Sequence, residues 1–405
     1  MKEGITLKIK IIDMPMGTGK TIGVINYMNS HPEKRYMFIT PFLDEVQRIK
    51  LNCPSLEFEE PSEQYSKLNS LKKLIAEDKN IVSTHALFRI IDTKVIELLE
   101  ASSYTLILDE VMEVIEPLRT KKRDIQAMID SKIISVDEDG RCYSEDTSYG
   151  SSGYEFSYAV SAIQNQNVYL IDGTMLLCVF NPKAFECFED CIVLTYMFDG
   201  SLMKSYLELF NLEYSFYRIE NTSIFEGKYD DSPFRTQVKA LINVYEGKLN
   251  NVGKDENALS SNWFRSTSQR DNKNILRKNI YNYLHHKVDS KVAEAMWTTF
   301  LGTNGRNKDK LQPRDYKTNT FVSCNARATN KFSNKMNLVY AVNMYINPYV
   351  SRYLQTNQVD IDGDKYALAQ MLQWIWRSRI RNGYDINIYI PSSRMRRLLI
   401  QWMGN

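Results

Sequence analysis

Met14-Pro15-Met16-Gly17-Thr18-Gly19-Lys20-Thr21 follows the apolar run KIKIID (Lys8 to Asp13) and leads into the helix-forming run TIGVINYM. A strand, a glycine-rich turn and a helix start, in that order, make a phosphate-binding loop. Glycine lets the backbone N–H groups turn inward around an anion, and the helix start adds its positive dipole end. In such a loop Gly17, Thr18 and Gly19 wrap the phosphates and Lys20 reaches the β- and γ-phosphates. The Thr21 hydroxyl binds magnesium. The expected ligands are ATP and Mg2+. The strict form of the loop has glycine where this chain has Met14.

Working outward, further β-rich runs alternate with helical stretches: YMFIT (Tyr36 to Thr40), NIVST (Asn80 to Thr84), YTLILDE (Tyr104 to Glu110), VYLIDGT (Val168 to Thr174) and CIVLTYMF (Cys191 to Phe198). Continuous apolar runs suit parallel strands covered on both faces. Leu106-Ile107-Leu108-Asp109-Glu110 ends such a strand in two acids, at the edge where open α/β sheets bind ligands. Asp109 is expected to hold magnesium and Glu110 to polarise the attacking water as general base. Between Thr120 and Gln166 the pattern changes. IISVDEDGRCY, centred on Asp139-Gly140, reads as a β-hairpin inserted in the first domain.

With 405 residues, the chain has the length of two domains. Formal net charge is only +2, so nucleic-acid contacts must come from local basic patches. The cysteines (Cys53, Cys142, Cys178, Cys187, Cys191 and Cys324) form no dense framework and follow no signal peptide. They read as reduced thiols in a cytoplasm. Cys187 and Cys191 leave a zinc site open beside the plainer reading as buried thiols. No apolar run approaches the ~18 residues that span a bilayer, so no membrane association is expected.

The second half, from about residue 200, has its best strands at Thr320 to Asn325, Leu338 to Tyr345 and Ile386 to Ser392. Residues 246–262 are polar and read as a loop. Tyr366 to Ile380 reads as one helix. Leu368, Met371, Leu372 and Ile375 form its apolar stripe. If it persists to Arg381, then Gln373, Arg377 and Arg381 share a polar stripe, and the two arginines can reach one anion. The alternative is a solvated basic helix end favoured by the dipole. Lys121-Lys122-Arg123, and Arg394, Arg396 and Arg397, are either phosphate contacts or solvated surface.

At this point the order of elements resembles the superfamily 2 helicases, most of all phage-encoded members. Pro15 to Thr21 matches their first motif, Pro-x-Gly-x-Gly-Lys-Thr, which does not need glycine at Met14. Asp109-Glu110 matches their DExx box. The resemblance implies that Thr40-Pro41 and Ser83-Thr84-His85 touch the nucleic-acid backbone. It implies that Asp172-Gly173-Thr174, in the place of Ser-Ala-Thr, couples hydrolysis to strand movement. FVSCNARATN resembles the fifth motif, with Thr329 and Asn330 its polar contacts. Gln373 to Arg381 resembles the sixth, although Trp376 replaces its glycine and Ile380 takes the slot of its second arginine.

The expected architecture is α/β, two tandem RecA-like P-loop domains with mainly parallel sheets. Residues 1–200 form the first domain, with its insertion at about 120–166, and residues 201–405 the second. The expected function is an ATP-dependent helicase or translocase, on DNA more than RNA, with ATP in the cleft between domains and a bacterial host cytoplasm as location. A packaging ATPase and an ATP-gated binding module are the alternatives. The C-terminal arginines, where a packaging enzyme carries nuclease acids, disfavour the first. Intact Lys20, Asp109 and Glu110 disfavour the second.

Overall fold

The computed structural model describes residues 8–63, 66–144, 147–150, 156–220, 223–302, 305–317, 319–324 and 330–404. Strands β1 (Ile9–Asp13), β2 (Arg35–Thr40), β3 (Ile81–Thr84) and β4 (Tyr104–Asp109) come first. A side excursion holds β5 (Ile115–Pro117), β6 (Ser135–Val136), β7 (Cys142–Tyr143), β8 (Asn167–Ile171) and β9 (Met175–Val179). The chain then returns through β10 (Asp190–Thr195), β11 (Tyr214–Glu220) and β12 (Ser223–Glu226).

These build a seven-stranded sheet in the order β12-β11-β1-β10-β4-β2-β3, parallel except for β12. All six residues of β4 are buried, as expected of a strand covered on both faces. Ile12, Val24, Met28, Phe38, Ile107 and Leu194 meet in one core that fastens the helix Lys20–Ser30 to the sheet. The order sets β1, β10 and β4 side by side. Asp13 pairs in register with Thr195, and Leu194 with Asp109, so three polar strand ends line one edge.

Val168 to Thr174 does not join this sheet. β8 turns through Asp172-Gly173 into β9, and with β5 they form a separate antiparallel sheet, order β5-β9-β8. Asp172 (φ 52°) and Gly173 (φ 62°) are both left-handed, and Thr174 N–H donates to Ile171 O at 3.1 Å. That is a tight turn with both central residues left-handed, which Asp-Gly favours, inside a three-residue connection between β8 and β9. The hairpin expected around Asp139-Gly140 is present as β6–β7. Leu118, Ile125, Met128, Val160, Val168 and Leu176 give this excursion its own core.

The described chain divides into two compact units: Met1–Met14, Thr18–Tyr229 and Asn347–Ile361 in one, and Pro15–Gly17, Asp230–Ile346 and Asp362–Asn405 in the other. The first runs past residue 200 because β11 pairs with β1. It also takes back the helix Pro348–Thr356, which sits against the small antiparallel sheet. There the Tyr169 and Tyr353 rings lie 4.9 Å apart, the Thr174 hydroxyl donates to Tyr349 Oη at 3.4 Å, and Arg352 pairs with Asp172.

The second unit holds a parallel four-stranded sheet of β13 (Ile242–Val244), β14 (Ala295–Thr298), β15 (Asn337–Tyr340) and β16 (Ile386–Tyr389), in the order β13-β16-β15-β14. Thr320 to Cys324, the described part of the run expected as a strand, forms none. Phe321 makes a single bridge to Trp297, and the edge belongs to Ala295–Thr298. Among the described residues no helix is long and apolar enough to cross a membrane.

Candidate nucleotide site

The loop after β1 turns at Gly17 (φ 82°) and Gly19 (φ 86°), both in the left-handed region that a side chain disfavours. Lys20 opens the helix. Its Nζ donates to Met14 O at 2.5 Å, across the mouth of the loop. Lys20 is buried, which lowers its proton affinity, while Glu110, Asp109 and Asp13 act against that.

Thr21, one residue on, donates its hydroxyl to Asp109 Oδ1 at 3.3 Å. The two predicted magnesium ligands, 88 residues apart in sequence, therefore meet. Burial pushes the Asp109 carboxyl up to about 7, helped by Glu110 and Glu45 and opposed by Lys20 and Arg48. Glu110 follows in a left-handed conformation (φ 66°), its N–H bonded to Leu194 O at 2.9 Å. All the converging donors are oxygens, the set that hard Mg2+ takes.

Four further residues belong to this site, and the sequence reading did not name them. Asp13 ends β1. Burial raises its carboxyl to about 6, and Phe198 N–H donates to Oδ2 at 3.3 Å. Glu45 and Arg48, ion-paired at 3.1 Å on the helix Leu43–Asn52, are felt by Asp109. Thr195 ends β10 fully buried, its hydroxyl oxygen without a hydrogen-bond partner among the described residues. A lone acid closing an apolar strand just before the phosphate loop was the available signal for Asp13.

Thr40 and Thr84 are register partners at the ends of β2 and β3, so the structure brings the two expected strand-contact segments together. Thr40 and Ser83 are buried, while Pro41 and Thr84 are half-buried. His85 is turned inward. Its Nε2 lies 3.1 Å from Asp109 O, behind the acid pair. Asp172, Gly173 and Thr174 lie in the hairpin turn described above, away from any parallel strand end.

In the second unit Gln373 sits half-buried on the helix Gly363–Ile375. That helix does not reach Arg381. Ser378 is extended and its hydroxyl accepts from Ile380 N–H at 3.5 Å, which starts a new short turn over Arg379–Asn382. The shared Arg377–Arg381 stripe is therefore absent. Arg377 is buried, with Nη1 donating to Ser323 O at 3.3 Å, and burial draws its pKa down to about 10. Arg379 is tied to Asp385 at 2.6 Å, and Arg381 is exposed.

Thr329 lies outside the described residues, and Asn330 opens the short turn Asn330–Phe332. Arg394 is not a phosphate contact. It is buried against Asp364 (2.7 Å), Asn343 and Met344 O, with its guanidinium 4.3 Å from the Tyr345 ring centre. Arg396 pairs with Glu246 at 3.1 Å, and Arg397 with Glu256 at 3.5 Å. Cys187 and Cys191 are buried thiols, and burial raises Cys187 to about 12.

The chain is 37% identical over 413 residues to the SPbeta prophage-derived uncharacterized protein YonV of Bacillus subtilis (strain 168), covering 98% of this chain and 99% of that one. It belongs to the YonV family. The model of the YonV C-terminal Rossmann-like domain matches residues 236–403, within which β13, β14, β15 and β16 fall. Among solved structures the YonV-family chain is similar to Xpd4 of S. tokodaii (TM-score 0.51, 14% identity, 97% of this chain and 94% of that one). It is similar to an XPD helicase as well (TM-score 0.50, 11% identity, 98% and 95%). The likeness shows the fold: α/β with mainly parallel sheets, matching the tandem RecA-like folds of these XPD-type structures.

Proposed function

We propose that this YonV-family protein is an ATP-dependent helicase or translocase that moves along a nucleic-acid strand, DNA in preference to RNA. The observation that carries the reading is the Thr21–Asp109 contact of 3.3 Å beside the buried Lys20. A phosphate loop and an acidic strand end brought to one point form the minimum needed to cleave a nucleoside triphosphate.

In this reading the N–H groups of Gly17, Thr18 and Gly19 and the ammonium of Lys20 hold the phosphates. Thr21 and Asp109 would hold Mg2+, which when bound neutralises charge on the phosphate oxygens. Glu110 aligns water and accepts its proton. Gln373, Arg377 and Arg381 come from the second unit. Arg377, already desolvated and charged at neutral pH, is the one proposed to offset charge that develops on the γ-phosphate. Domains are proposed as the two units, with the excursion from Ile115 to Val179, which contains the expected 120–166 segment, as an insertion in the first.

Thr40, Pro41, Ser83, Thr84, Thr329 and Asn330 are proposed to face the strand, with backbone groups taking the larger share where the side chains are buried. His85 is proposed to act on the acid pair instead. The coupling role expected of Asp172-Gly173-Thr174 is better suited to Thr195, which ends the strand between β1 and β4. The homologue's prophage origin supports a phage-encoded protein acting on DNA in a bacterial cytoplasm. ATP hydrolysis measured with single-stranded DNA, duplex DNA and RNA tests the reading. Stimulation by a strand is expected, and hydrolysis indifferent to all three would oppose it.

A further inference from the structure

Residues 263–317 hold twelve Lys and Arg against five Asp and Glu, a surplus of seven in a chain whose overall surplus is two. The other 350 residues are therefore net acidic by five. Residues 365–405 carry a like surplus, seven against one, but there Arg379, Arg394, Arg396 and Arg397 are paired with acids. The stretch 263–317 lies wholly in the second unit.

The structure arranges these cations on a surface. The helix Arg270–Asn282 buries Leu276 and Ile280 and continues through one π-helical turn, Tyr283–Lys287. Arg270, Arg277, Lys278 and Lys287 are exposed, and Lys273 is half-buried. The helix Arg306–Leu311 packs beside it and brings exposed Lys310 close enough to lower the proton affinity of Lys273, after the larger effect of burial.

Elsewhere in the molecule four helical cations pair with acids at i±3 or i±4: Lys73 with Glu77, Lys94 with Glu97, Lys204 with Glu208 and Arg235 with Asp231. On Arg270–Asn282 none of those positions holds an acid. Lys273 stands four before Arg277, and Asn274 four before Lys278. Among the described residues no carboxylate forms an ion pair with Arg270, Lys273, Arg277, Lys278, Lys287 or Lys310. Like charges at this spacing oppose the helix rather than support it. The face is built for an anion from outside. Beside it the Tyr281 ring stacks on exposed His285 at 5.1 Å and 23°, a flat surface of the kind bases stack on.

We infer that the face formed by Arg270–Lys287 and Lys310 is a second nucleic-acid surface, which grips phosphodiester backbone independently of the motor motifs. Its eighteen residues extend about 27 Å at 1.5 Å per residue. That length lies along about eight phosphates of one duplex strand at ~3.4 Å each. Contacts from such cations and amides to phosphates position a strand and carry no sequence information.

This inference rests on the reading of the protein as a nucleic-acid motor, but the two fail separately. The test is fluorescence anisotropy over a salt series with a labelled oligothymidylate, a duplex of equal length and the matching oligouridylate. Wild-type full-length protein is compared with R270Q/R277Q/K278Q/K310Q. Each lost single-strand contact removes ~0.7 from the slope of log K against log salt, so the variant slope should flatten by about 3. Affinity should fall ~10-fold or more at low salt, while ATP turnover without nucleic acid stays at the wild-type rate.

If the quadruple variant fails to fold, R270Q/K278Q reads half that change. A slope and affinity equal to wild type on all three probes overturns the inference, including the case in which an acidic protein covers the face. A changed slope without strand-stimulated hydrolysis sinks the motor and leaves the surface standing.

Discussion

The Thr21 hydroxyl donates to Asp109 Oδ1 over 3.3 Å, joining the start of the helix Lys20–Ser30 to the end of β4 across the intervening strand β10. Each group is held by its own element, and both must let go of each other to take a cation. Thr21→Ala and Asp109→Ala should therefore each lower turnover at least ~100-fold while leaving the fold intact, because Mg2+ is an obligatory part of phosphoryl transfer. Glu110→Gln should instead trap bound ATP with affinity near wild type. Single-turnover hydrolysis beside equilibrium ATP binding separates the two patterns.

Asp13 supplies a pH prediction. Its folded carboxyl is raised to about 6 from an ordinary 3.8, chiefly by burial, despite the Phe198 N–H and the charges of Lys228 and Lys20. The folded state thus binds a proton that the unfolded chain has lost. Stability from this group is full below about pH 4 and disappears as pH rises through about 6. Asp13→Asn should flatten that fall and stabilise the nucleotide-free protein at pH 8 by up to ~3 kcal/mol. Denaturant unfolding of both proteins from pH 4 to 8 checks it. Parallel curves would show that Asp13 is ionised throughout.

His85 Nε2 lies 3.1 Å from the Asp109 carbonyl, the peptide that sets Glu110 in its left-handed conformation. Its loss should act on chemistry rather than on strand binding. His85→Ala should reduce kcat about tenfold, the size of one buried hydrogen bond, with strand affinity unchanged. Weakened strand affinity at constant kcat would return His85 to the contact role that its place in Ser83-Thr84-His85 suggested.

Arg377 and its neighbours separate cleanly. Arg377→Ala should cut turnover ~10³-fold with ATP still bound, as for other arginines set against a transferring phosphate. Arg379→Ala removes the Asp385 pair and should lower stability by ~1 kcal/mol with little loss of turnover. Melting curves and turnover on both variants distinguish these outcomes. Equal turnover losses would mean that the short turn Arg379–Asn382, and not one arginine, serves the reaction.

The geometry of the candidate nucleotide site was legible in sequence wherever its signal was local and contiguous. Gly17 to Thr21 and Leu106 to Glu110 each carry strand, turn and chemistry within a few residues. The structure departs from the expected local setting where a role was assigned by order along the chain. Asp172-Gly173-Thr174 took the coupling slot because it followed an apolar run, although Asp-Gly is a hairpin turn there, as it is at Asp139-Gly140.

Two other misses have different causes, the first being that periodicity does not mark its own end. The stripe through Gln373 and Arg377 continues past Ser378 on paper, but a serine that caps a new turn ends the helix at Ile375. Ala295–Thr298 is only four residues long, so the β-richer run from Thr320 outscored it. The fold chose the segment that could be buried in full beside β15.

Lys20, Thr21, Asp109 and Glu110 are proposed to drive strand movement with ATP. The most direct measurement is the steady-state ATPase rate of the full chain with and without single-stranded DNA, in wild type and in Lys20→Ala. The account predicts hydrolysis that rises at least ~10-fold with the strand, as expected when strand binding completes the catalytic arrangement, and that is absent from Lys20→Ala under both conditions. A wild-type rate that DNA and RNA leave unchanged, or a Lys20→Ala protein that hydrolyses ATP normally, would contradict it.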